Sequence, residues 1–126
     1  MKPIRSLLLG IALAAALPAH ADFKSDVAAI RQVGGEGKGN VQAAAAWQSL
    51  AKGGAQTLVP LLAAMDDAND FAANYLRSAV DAIADRELAA GRKLPQAELE
   101  RFLADTKHNP REIGRASCRE RVCHNV

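Results

Sequence analysis

The chain of 126 residues carries 16 basic and 14 acidic side chains, with 49% apolar, 24% charged and 4% aromatic residues, and its length allows one domain at most. The formal charge of +2 comes from the two ends, because between Asp22 and Arg111 there are 11 basic and 12 acidic side chains; that balance offers no clustered basic face for phosphate, so no nucleic-acid partner is expected. The same segment has no cysteine and one histidine, His108, too few ligands for a zinc site of the usual kind or for attached haem, so no metal and no cofactor is expected.

The opening "MKPIRSLLLGIALAAALPAHA" sets Lys2 and Arg5 before an apolar run from Leu7 to Leu17, then Pro18 and the small-residue pattern Ala19-His20-Ala21. This is the layout of a secretory signal peptide cleaved after Ala21. The run is 11 residues long, whereas a helix that crosses a bilayer needs roughly 20. No cysteine follows the cleavage site to take a lipid. A periplasmic or secreted protein beginning at Asp22, without a stable membrane anchor, is the expectation.

After that leader, abundant alanine and scarce aromatic residues favour helices over a sheet. "DFKSDVAAIRQV" places Phe23, Val27, Ile30 and Val33 near one helical face. "GGEGKGN" interrupts it with Gly34, Gly35, Gly37 and Gly39, which read as a flexible loop or linker. The stretch is no P-loop, because Lys38 is followed by Gly39 rather than by Ser or Thr. Asn40 is the expected N-cap of "VQAAAAWQSLAK", a helix with Ala43, Trp47, Leu50 and Ala51 at helical spacing and Gly53-Gly54 at its end. Trp47 reads as a core residue.

"AQTLVPLLAAM" presents Leu58, Leu61, Leu62 and Met65 on a short helix that starts or bends near Pro60. In "DDAND", Asp66, Asp67, Asn69 and Asp70 lack the calcium-loop spacing and suit the N-terminal end of the next helix, where the dipole favours acids. That helix, "FAANYLRSAVDAIADRELAAG", is the strongest of all: Phe71, Tyr75, Leu76, Ala79, Val80 and Ile83 form a broad apolar stripe, and Gly91 stops it. Arg77 and Asp81 are four apart, a spacing suited to pairing. In "KLPQAELERFLADTKHNP", Pro95 suits the first helical position, Leu99, Phe102 and Leu103 face inward, and His108 reads as a C-terminal cap that favours the dipole. The expected structural core is Trp47, Leu50, Leu58, Leu61, Leu62, Tyr75, Leu76, Val80 and Ile83.

Paired helices joined by short turns are the material of an α-solenoid, in which each pair hides one face by stacking on the next. The stretch from Ala43 to Pro95 resembles a bacterial group of exported HEAT-repeat-like proteins, a resemblance that covers about residues 40–110. It is carried by Trp47, Leu50, Gly54, Leu58, Leu61, Leu62, Met65, Asp66, Asp67, Ala68, Ala73, Asn74, Leu76, Arg77, Ala79 and Asp81. No clean internal repeat at the usual period of about 40 residues is visible. The resemblance implies an all-α fold of paired antiparallel helices, a fragment of a HEAT-like superhelix, working as a binding or scaffolding module for a protein partner. It hands over no catalytic residues. The expected organisation is a signal peptide over 1–21, a short helix and Gly-rich linker over 22–39, a HEAT-like domain over 40–111 and a non-native tail over 112–126.

That tail, "EIGRASCRERVCHNV", holds both cysteines. Cys118, Cys123 and His124 resemble a stretched haem-attachment motif, but the segment is rich in arginine and offers only Ile113 and Val122 as bulky apolar groups, so it forms no haem pocket. Glu112 to Val122 resembles, letter for letter, the translation of a widely used short-read sequencing adapter. On that reading the native sequence is cut near Arg111.

A hydrolase is the competing class. Ser25, Ser49, Thr57, Ser78 and Thr106 have no neighbouring base in sequence, and His108 stands alone. No enzyme is expected in this segment; an enzyme or cytochrome domain following it in a longer secreted protein is the alternative.

Overall fold

In the computed structural model, residues 19–108 are described. The leader up to Pro18 and the chain from Asn109 onward, including the adapter-like tail and its cysteines, lie outside the described residues. The fold is all-α: α1 runs over Ala19–Arg31, α2 over Asn40–Leu50, α3 over Leu58–Ala64, α4 over Asp70–Ala89 and α5 over Gln96–Ala104. Among the described residues there is no strand, and no helix is long and apolar enough to cross a membrane.

The glycine stretch after α1 is a tight turn. Gly34 N–H donates to the Lys38 carbonyl at 3.0 Å and Lys38 N–H to the Gly35 carbonyl at 3.2 Å, closing a single 3₁₀ turn over Gly35–Gly37. Gly39, not Asn40, is the N-cap of α2: it adopts φ 75°, and Asn40 is already the first helical residue. A Cβ at Gly39 would stand 3.1 Å from the Gln32 carbonyl oxygen. The chain doubles back closely enough to crowd a side chain at the cap, and the left-handed backbone there favours glycine.

α3 opens at Leu58 after a 3₁₀ turn at Ala55–Thr57, in which the Thr57 hydroxyl donates to the Gly54 carbonyl at 2.7 Å. Pro60 falls in its first turn, where backbone N–H groups have no helical acceptor, so the missing donor costs nothing and the helix need not bend. α4 is capped by Asn69, whose Oδ1 accepts from Ala72 N–H at 2.9 Å. It ends at Gly91 (φ 70°), with Arg92 N–H on the Glu87 carbonyl and Gly91 N–H on the Leu88 carbonyl, each at 2.9 Å. This pair of bonds satisfies carbonyls that the last turn of a helix leaves open. Pro95 sits one place before its expected position, at the N-cap of α5.

α1 packs most heavily on α2 and α3 on α4, giving two helical hairpins, with α5 set against α3. Buried side chains from every helix form one cluster, from Val27 and Ile30 of α1 and Val33 just after it to Leu99 and Phe102 of α5. Leu50, Leu58, Leu61, Leu62, Leu76, Val80 and Ile83 are buried, while Trp47 and Tyr75 are only partly buried and pack against the cluster from outside. Ala43, Ala46, Ala72 and Ala79 are 0–4% exposed; small side chains at these places let helix backbones approach closely. Phe71, expected on the apolar stripe of α4, is 54% exposed. The buried line runs through Ala72, Leu76, Ala79, Val80 and Ile83, which turns Phe71 onto the adjoining flank.

The two hairpins stack in a constant register. Arg31 Nη2 donates to the Ala64 carbonyl at 2.8 Å, Asn69 Nδ2 to the Val33 carbonyl at 2.8 Å, and the Tyr75 hydroxyl faces Asn40 Oδ1 at 3.5 Å. Arg86 donates through Nη1 to the Ala51 carbonyl and through Nη2 to the Gly53 carbonyl. The residues joined are 33, 36, 35, 35 and 33 positions apart in these five contacts. Asn40 meets Tyr75 near the start of α2 and Ala51 meets Arg86 at its end, so α2 and α4 run side by side in the same direction.

Candidate functional site

α2 has no charged residue from Asn40 to Leu50, although Val41, Ala44, Ala45 and Gln48 are all exposed. The helical repeat puts Val41, Ala44 and Gln48 along one line of its surface. On α4 the corresponding flank holds Phe71, Asn74, Tyr75 and Ser78, again without charge. Ala44, Trp47, Gln48, Tyr75 and Ser78 line an open groove between the two helices. Val41, 81% exposed, and Phe71, 54% exposed, continue its two walls toward the helix starts. The single Trp and single Tyr of the sequence thus share one surface with the exposed large apolar side chains.

The side chains that line the groove are uncharged, and the Arg77 guanidinium lies at its edge beside Asn74. The Ser78 hydroxyl donates to the Tyr75 carbonyl at 2.9 Å, and Asn74 Oδ1 accepts from Arg77 Nη1 at 3.2 Å. Trp47 Nε1 is buried without a hydrogen-bond partner among the described residues, a state that costs about 1–3 kcal/mol when nothing relieves it.

Toward the end of α4, charge ties the two helices together. Glu87 is 6% exposed and takes two bonds from Arg92, Nε to Oε2 at 2.6 Å and Nη2 to Oε1 at 3.0 Å, with Arg86 Nη2 at 3.4 Å from Oε1. The Arg92 hydrogen bonds hold the Glu87 carboxyl below its ordinary 4.5, against the opposing pull of burial and with Arg86 adding to the effect. The same carboxylate raises Arg92. Arg86, steadied by Glu87, covers the carbonyls at the end of α2, so the cluster ties the end of α2 to α4.

His108 does not cap α5. Its Nδ1 lies 2.5 Å from Asp66 Oδ2, and its ring stacks on Phe102 with centroids 3.9 Å apart. The buried Phe102 ring supplies a flat apolar platform, and Asp66 at the end of α3 supplies an acceptor, so the imidazole ties α5 to the second hairpin. Thr57 and Ser78, two of the hydroxyls weighed as nucleophiles, donate to nearby carbonyls. Among the described residues no group of three or more His, Cys, Asp or Glu side chains is placed to hold a metal ion.

Of the expected core residues, Trp47 and Tyr75 are the two that this groove brings together. Val41 and Phe71 were not singled out as surface contacts. For Val41 the sequence signal is the uncharged run from Asn40 to Leu50, which is too poor in charge for an ordinary solvated face; Phe71 has no such signal. Comparison with protein-family models, curated proteins and solved structures finds no match.

Proposed function

We propose that this chain is an exported, non-catalytic helical-repeat module of HEAT-like design that binds a protein partner along the α2/α4 groove. The observation that carries the reading is a groove lined by Trp47 and Tyr75 and no charged side chain, with the exposed Val41 and Phe71 on the same two helices. Interface centres are depleted in charge and enriched in aromatic residues, and Trp and Tyr are frequent energetic hot spots. The repeat character is supported by the steady 33 to 36 residue offset between hairpins, as stacked helical units require. Export is supported by the order of basic, apolar and small residues from Met1 to Ala21.

The test compares capture of proteins from periplasmic extract by the full chain and by a Val41→Ser, Phe71→Ser double variant. Both positions are exposed, so the variant should melt at the wild-type temperature. The proposal expects a partner retained by wild type and lost by the variant. Equal retention by both chains would overturn it.

A further inference from the structure

We infer that His108 is a pH-sensitive latch: its imidazole fastens α5 to the second hairpin when it carries two protons and loosens it when it carries one. Both ring nitrogens face carboxylates. Nδ1 lies 2.5 Å from Oδ2 of Asp66, in the turn after α3, and Nε2 lies 3.8 Å from Oδ2 of Asp105, at the end of α5. A neutral imidazole has one N–H and one lone pair, so in either tautomer one carboxylate meets a lone pair. Only the imidazolium presents a donor and a positive charge to both.

The setting makes that difference count. The His108–Asp66 pair is partly buried, so water and salt screen it less than an open surface pair. The buried Phe102 ring stacks on the imidazole at an interplanar angle of 18°, which fixes the plane in which the two nitrogens point. Asp66 is the charged group facing the ring from the second hairpin, and Asp105 the one from α5, where its Oδ1 also accepts from Lys107 N–H at 3.1 Å. Both are acids, so both pull in the same direction. α5 is nine residues long and buries Leu99 and Phe102; a helix of that length does not hold itself together in water, so its attachment decides its order. Histidine changes charge between about pH 5 and 8, while carboxylates stay ionised and lysine and arginine stay protonated. The attachment is therefore strongest at the acid end of this range and weakens as pH rises through it. A loosened α5 uncovers Leu99, Phe102 and the part of α3 against which it rests.

The experiment follows amide hydrogen exchange of the full chain at about pH 5.5 and about pH 7.5, in wild type, His108→Gln and Asp66→Asn. Protection factors divide out the intrinsic effect of pH on exchange. The inference expects α5 of the wild type to lose about fivefold in protection relative to α4 between the two values, the scale of a partly screened ion pair. The ratio should stay level in His108→Gln, whose amide can donate to Asp66 but does not titrate. Asp66→Asn, which removes the nearer charge, should keep only a minor part of the change. A ratio that is level in wild type, or that shifts in either variant as much as in wild type, would overturn the latch.

Discussion

Asn69 does two jobs with one amide. Its Oδ1 caps α4 and its Nδ2 reaches back to the Val33 carbonyl in the first hairpin. Asn69→Ala should therefore cost more than the roughly 1 kcal/mol of an ordinary lost N-cap, read as a fall in thermal midpoint, whereas Asn69→Asp should keep the cap and lose only the tie to Val33. Glu87 makes a second prediction, with a definite sign. Because Arg92 and Arg86 lower its carboxyl below 4.5 in the folded chain, its contribution is fully present above that value and is lost as pH falls through the lower, folded value. A thermal midpoint followed from about pH 6 to about pH 3 should drop more steeply for wild type than for Glu87→Gln, which has no carboxylate to protonate. Parallel curves would contradict the role given to this group. Glu87 was legible as a position, since Leu76, Val80, Ile83 and Glu87 fall on one line of α4. Its partner was not, because Arg92 reaches it only after the chain has turned at Gly91.

At the scale of the element, the helices follow from residues that sequence patterns expose well: apolar spacing, glycine stops and the polar "DDAND" turn. What escaped was set by neighbours rather than by local preference. Asn40 is a good capping residue, but the approach of the returning chain to the Gln32 carbonyl reserves the cap for Gly39. Gly39→Ala should destabilise by about 1–2 kcal/mol through its left-handed backbone alone, with some further loss from the close carbonyl; a chemical denaturation curve unchanged by this substitution would argue against the tight turn. His108 likewise looks like a helix-end cation in sequence, and only the folded chain sets Asp66 and Phe102 beside it. The spacing puts Phe71 and Tyr75 on the apolar stripe with Leu76, Ala79, Val80 and Ile83, yet the buried line is centred one step around the helix, through Ala72 and Leu76. Tyr75 thus lines the groove and Phe71 stands exposed.

For the whole molecule, the two hairpins match in space at an offset of 33 to 36 residues that the letters do not show. Val27 and Ile30 of α1 have Leu62 and Met65 as buried counterparts 35 positions on, but Val, Ile, Leu and Met exchange freely at core positions, so the offset leaves no shared motif in the sequence. Neither hairpin buries its faces alone, and the buried cluster is continuous from α1 to α5. Leu62→Ala should then remove about 2–5 kcal/mol from the entire fold, lowering one cooperative helical transition followed by circular dichroism rather than splitting off a separate early one.

The central claim is that the charge-free face shared by α2 and α4 is where a partner binds. The most direct test replaces Val41, Phe71 or Arg101 in turn with a photo-crosslinking phenylalanine derivative and irradiates the full chain in periplasmic extract. Arg101 serves as the control because it is an exposed residue on α5. The account predicts a common adduct from positions 41 and 71 and none from 101; adducts that form equally at 101, or only there, would contradict it.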